Sequence, residues 1–142
     1  GIDIPVLIIP DQGLTDLPGK LAYITDHQKG DIEAMKQFHG LCDLFKASLS
    51  LLHVNEGDEF DDRVKREGFK AILSKELKDC KMDYREIRRK NMNKELKDLI
   101  SDKKIDLISM KNESENFLTR FFNRSSLEKL IDSVDIPLLI YS

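Results

Sequence analysis

The sequence predicts a three-layer α/β/α sandwich on a five-stranded parallel sheet, with an extra strand at the N-terminus. Three observations carry that prediction. Short apolar segments alternate with amphipathic helical stretches along most of the 142 residues. That alternation is the pattern of right-handed βαβ crossovers. The strongest apolar segments are continuous rather than alternating, as expected of strands covered on both faces. Finally, Asp3-Ile4-Pro5-Val6-Leu7-Ile8-Ile9 is matched almost position for position by Asp135-Ile136-Pro137-Leu138-Leu139-Ile140-Tyr141. A segment that closes a structural unit therefore also opens the chain, so the sequence reads as the second half of a tandem protein.

On this reading residues 1–10 are the last strand of a preceding unit. Residues 11–19, with Gly13, Pro18 and Gly19, are a linker, and residues 20–142 form the domain. Lys20–Thr25 is the first strand. Ile32, Met35, Phe38, His39, Cys42 and Phe45 then recur at helical spacing. Ser48–Val54 is a second, nearly all-apolar strand. The acidic stretch Asn55–Asp62 leads into a helix with the stripe Val64, Phe69, Ile72, Leu73 and Leu77. Asp83–Arg88 is polar enough to be a sheet edge. Met92, Leu96, Leu99 and Ile100 mark a third helix, Ile105–Met110 another strand, and Leu127, Leu130, Ile131 and Val134 a fourth helix at i, i+3, i+4, i+7. The last strand follows Pro137.

Composition narrows the function. With 23 Lys and Arg against 26 Asp and Glu, the net charge is −3, and this gives no global attraction to nucleic acid or to an anionic membrane. No apolar run approaches the roughly 20 residues of a spanning helix, and the N-terminal apolar segment lacks the features of a secretory signal, so a cytoplasmic chain is expected. Cys42 and Cys80, both read as helical, are expected to be reduced thiols. His27, His39 and His53 are too scattered to suggest a metal site. His39 and His53 read as core histidines, whereas His27 falls where a ligand cleft would lie and could sense pH. No Ser-His-Asp or Cys-His arrangement is visible, so no catalytic residue is expected. The basic cluster Arg85, Arg88, Arg89 and Lys90 reads as a solvated strand end.

In a doubly wound sheet, ligands bind beyond the carboxyl ends of the strands where strand order reverses. This singles out Thr25-Asp26-His27, Val54-Asn55 and Met110-Lys111-Asn112. Several pieces of the sequence resemble a universal stress protein domain, an adenine nucleotide alpha hydrolase-like fold. They are Tyr23-Ile24-Thr25-Asp26, Leu51-Leu52-His53-Val54, Asp106-Leu107-Ile108-Ser109-Met110, and Ser125 to Leu130 followed by Ile136-Pro137-Leu138-Leu139-Ile140. The resemblance implies Asp26 and Val54 as nucleotide-contacting positions. Its ATP-binding branch also carries a Gly-x-x-Gly and a later Gly-Ser or Gly-Thr before the last helix. Here Lys111, Ser114 and Arg124 stand at the glycine positions, while Ser125 keeps the hydroxyl. Side chains thus replace the bare backbone that would approach phosphate, and Glu113 and Glu115 would repel it.

Ser125 and Ser126 remain a helix-terminal anion site that Arg120 and Arg124 could strengthen, or, with Glu128, a capping box. Phe117, Phe121 and Phe122 read as filling the vacated cleft. The leading expectation is a non-catalytic domain with a role in stress response or regulation, with a degenerate nucleotide motif and no cofactor. The alternatives are an ATP- or AMP-binding or small-ligand sensor using Asp26, Val54, Ser125 and Ser126, and a structural half that dimerises. The resemblance implies that the extra N-terminal strand pairs antiparallel at the sheet edge, through Val6, Leu7, Ile8 and Leu138, Leu139, Ile140, within the chain or by exchange with a neighbour, in the tandem protein or in a homodimer.

Overall fold

A computed structural model describes residues 4–14, 16–55, 57, 59–111 and 135–141. The elements in chain order are β1 (Val6–Ile8), β2 (Lys20–Thr25), α1 (Lys29–Phe45), β3 (Ser48–Asn55), α2 (Glu59–Glu76), β4 (Met82–Arg88), a 3-10 turn over Arg89–Asn91, α3 (Met92–Ser101), β5 (Leu107–Lys111) and β6 (Leu138–Tyr141). The strands form one sheet in the order β1-β6-β5-β2-β3-β4. The ladders β2–β3, β2–β5, β3–β4 and β5–β6 are parallel, and β1 alone is antiparallel.

The edge pairing expected from the terminal repeat is present within the chain. Val6 faces Ile140, Leu7 faces Leu139 and Ile8 faces Leu138. The repeat therefore meets its own copy, and β1 covers the β6 edge, whose backbone groups would otherwise be open to other chains. At the opposite edge, β4 is the polar strand the sequence indicated.

Side chains alternate between the two faces of the sheet, and each face has its own core. Ala22, Ile24, Leu52 and Ile108 join Met92 and Leu96 of α3. Leu21, Tyr23, Leu51 and Leu107 join Met35 and Phe38 of α1 and Phe69 and Leu73 of α2. Helix α1 begins in a capping box formed by Gln28 and Asp31, and it ends at Lys46 in a left-handed conformation (φ 52°). No helix among the described residues is long and apolar enough to cross a membrane.

Several expectations change. Val64 and Ile72 are 57% and 51% exposed, so the buried stripe of α2 is carried by Phe69 and Leu73. Strand β5 begins at Leu107 rather than Ile105, because the Asp106 carboxylate accepts hydrogen bonds from the backbone N–H groups of Gly19 and Lys20. That side chain pins the start of β2, while the Asp106 backbone N–H donates to the Lys20 carbonyl at 2.9 Å. His39 lies on the flank of α1 beside Asp43, with Nε2 to Oδ1 at 3.6 Å, and not in the core. Cys80 follows α2 in irregular backbone, although it does pack against the α1/α2 core. The predicted helix through Leu127 and Val134 and the phenylalanines Phe117, Phe121 and Phe122 lie outside the described residues.

Candidate functional site

Strand order reverses between β2 and β5, so the crevice named by the topology lies beyond their carboxyl ends. Asp26 immediately follows β2, Lys111 ends β5, and Val54 is the penultimate residue of β3. Three adjacent parallel strands thus bring these three predicted positions to one edge of the sheet. The other four, Ser114, Arg124, Ser125 and Ser126, lie outside the described residues.

The local chemistry is built around Asp31, in the first turn of α1. Its carboxylate accepts from the Tyr23 hydroxyl at 2.7 Å, the Thr25 hydroxyl at 2.6 Å and the Gln28 backbone N–H at 3.2 Å. Tyr23 and Thr25 are both odd-numbered β2 residues on the α1 face, so strand periodicity aims both hydroxyls at one helix N-terminus. Burial lifts the Asp31 carboxyl to about 6, against the pull of these three donors. The Thr25 hydroxyl oxygen also accepts from the His27 backbone N–H at 2.9 Å, which holds His27 in a left-handed conformation (φ 68°). Asp26 is 8% exposed, and its Oδ2 accepts from Gln28 Nε2 at 3.4 Å. The side chain of Val54 belongs to the α3-side core, and its backbone runs in register with Ile87 of β4.

Sequence reasoning missed an imidazole pair. His27 Nε2 lies 2.7 Å from His53 Nδ1, with the rings stacked at 4.9 Å and 18°. Phe69 of α2 meets both rings edge-on, and Tyr84 of β4 stacks on His53 at 5.7 Å and 16°. The ammonium of Lys70 sits 4.6 Å above the Tyr84 ring. One nitrogen of the histidine contact must donate and the other accept, an arrangement that two neutral rings provide. Burial lowers His27 to about 4, with Asp62 pulling the other way, and it lowers His53 to about 3, with His27 adding to the effect. His27 therefore does not titrate near neutrality, contrary to the expectation of a pH sensor. His53 is fully buried, as expected, but its Nε2 has no hydrogen-bond partner among the described residues. The 26-residue separation of the two histidines hid the contact. The available signal was register: His53 pairs with Thr25 across parallel strands, and His27 is two residues further on.

Burial pushes the Cys42 thiol up to about 12 and also raises Cys80, so neither is an activated thiolate. Among the described residues, no group of three His, Cys, Asp or Glu side chains stands ready to hold a metal.

The fold matches solved structures of universal stress proteins. No protein-family model and no curated protein matches the sequence. A universal stress protein in complex with cAMP superposes with a TM-score of 0.60 at 11% identity, over 89% of this chain and 98% of that one. One from Archaeoglobus fulgidus in complex with dAMP gives 0.59 at 14%, over 87% and 98%. A putative universal stress protein from Pseudomonas aeruginosa UCBPP-PA14 gives 0.63 at 14%, over 96% of this chain and 51% of that one. The fold is therefore that of the universal stress proteins. Against the Pseudomonas structure, the chain spans about half the length of its neighbour.

Proposed function

We propose that this chain is a non-catalytic domain of the universal stress protein type, acting in stress response or regulation, which does not hold ATP in the manner of the family's ATP-binding branch. The observation that carries this reading is the inward turn of the polar groups beyond β2. The hydroxyls of Tyr23 and Thr25 are committed to Asp31, and the His27 ring is committed to His53. A ligand entering here would have to break these contacts before making its own, and an unmade buried hydrogen bond costs about 1–3 kcal/mol. The substitution of side chains for glycine at Lys111, Ser114 and Arg124 supports the same reading.

We place the chain as the second half of a tandem cytoplasmic protein. The antiparallel meeting of the two copies of the terminal repeat supports this, as does the half-length match to the Pseudomonas structure. The partner is then the other half, or a second copy, meeting the sheet edge at β1, where Val6 and Leu7 are about half exposed.

The test is the thermal midpoint with and without millimolar Mg-ATP or AMP, for the chain and for Asp26→Ala. A ligand at about 100 times its dissociation constant would add about 2.7 kcal/mol. The expected result is the same response from both proteins. An upward shift abolished by Asp26→Ala overturns the reading and installs the sensor alternative.

A further inference from the structure

A concavity lined by basic side chains lies away from the β2–β5 crevice. It is a cleft of about 510 Å³ beyond the carboxyl ends of β3 and β4, between the first two turns of α2 and the turn leading to α3. Asn55 and Gly57 form its floor at the end of β3. Arg63 and Arg66 project from α2, and Arg88, Arg89 and Lys90 come from the end of β4 and the turn after it. Among the described residues two acidic ones, Glu59 and Asp62, also line it, so five described cationic side chains face two described anionic ones in a chain whose net charge is −3.

The local bonding leaves much of this positive charge uncompensated. Arg66 is paired with Glu86, which also accepts from Asn55 Nδ2 at 3.0 Å, and this fixes the guanidinium at the cleft wall. Asp62 accepts from the Gly57 backbone N–H at 3.1 Å. Among the described residues, no ion pair involves Arg63, Arg88 or Lys90. Three like charges gathered at a concave surface repel one another, and a concave low-dielectric wall concentrates their field. The fold brings them together from two segments: the polar strand end at Arg88–Lys90 and the α2 face one turn in from its N-terminus. A solvated strand end accounts for the first segment alone, but not for Arg63 and Arg66 converging on it.

We propose that this cleft binds a small phosphate-bearing anion, of the class of an organic mono- or diphosphate. Guanidinium groups match phosphate oxygens in paired hydrogen bonds, and the ammonium of Lys90 adds a point charge. The volume lies in the range of small-molecule sites. The two carboxylates within the cleft disfavour an extended polyanion such as nucleic acid, which would carry its charge past them.

Calorimetric titration of inorganic pyrophosphate and of ADP, at an ionic strength matched with sodium chloride, tests this on the intact chain. Binding is expected in the wild type and in Arg85→Gln, which lies outside the cleft. It should weaken at least about tenfold in Arg63→Gln/Arg88→Gln, two exposed positions whose replacement leaves the core untouched. Tighter binding of ADP assigns the cleft to an organic phosphate, while equal affinity assigns it to the phosphoryl groups alone. Absence of binding, or equal affinity in the wild type and the double variant, overturns the proposal. Asp26→Ala should leave this binding unchanged, so the outcome is separable from that of the nucleotide test above.

Discussion

His27 and His53, from the turn after β2 and from the body of β3, form a direct imidazole-to-imidazole hydrogen bond of 2.7 Å. The contact joins two segments at the strand carboxyl ends, and it can exist only while the rings share no second proton. Burial depresses both groups well below the ordinary histidine value of 6.5.

This sets a pH dependence. In the unfolded chain both histidines take up protons as the pH falls through about 6.5, while in the folded chain they resist until about 4 and about 3. The stabilisation is therefore complete above pH 6.5 and is lost progressively as the pH falls toward 4. Asp31 works in the opposite direction, because its folded value near 6 lies above the unfolded 3.8 and stability gains from its protonation over that interval. The comparison that isolates the pair is His27→Asn/His53→Phe, in which asparagine suits the left-handed backbone at position 27. The stability advantage of the wild type over this variant, from urea unfolding, should shrink by on the order of 1–3 kcal/mol between pH 6.5 and pH 4. A difference that is flat with pH would show that the pair does not titrate as described.

The β1–β6 ladder makes a second prediction. Leu138 and Leu139 are buried at a sheet edge that β1 covers with three residues, in register from Val6 to Ile8. Removing residues 1–10 uncovers that edge, and an unpaired apolar strand recruits other chains. The truncated chain should melt at a lower temperature and show more of the larger species than the wild type in size-exclusion chromatography with light scattering. An unchanged mass distribution and midpoint would mean that β1 contributes nothing to closing the sheet.

Helix α2 separates two kinds of apolar residue that look alike in sequence. Leu73 is fully buried, whereas Val64 and Ile72 are more than half exposed. Leu73→Ala should cost about 2–5 kcal/mol by chemical denaturation, and Val64→Ala and Ile72→Ala each less than about 0.5 kcal/mol. Comparable losses at all three would place the buried face of α2 elsewhere.

Much of the architecture was legible because it depends on local patterning. The continuous apolar runs at Tyr23–Ile24 and Leu51–Val54 announced covered strands, and the polar run at Asp83–Arg88 announced an edge. The repeat at residues 3–9 and 135–141 announced a strand able to meet its copy. Legibility failed where period and composition carry no information about a neighbour. Val64 and Ile72 keep helical spacing yet face water, because α2 turns only a narrow stripe toward the sheet. His39 lies at core spacing but on a helix flank, where Asp43 meets it.

Hydrophobic period over a few residues made the strands and helices between Lys20 and Lys111 readable in the sequence, and the polar run at Asp83–Arg88 marked one edge of the sheet. Only the tertiary structure decided what the carboxyl ends of the strands do. Parallel pairing set His53 beside Thr25, which brought His27 onto His53 and gathered Tyr23, Thr25 and Asp31 into one buried network. The same pairing carried Arg88 up beside Asn55, so that the basic strand end meets Arg63 and Arg66 across a cleft. Such contacts join residues far apart in the chain, and their energies depend on burial and distance, quantities that come into being only when the sheet closes.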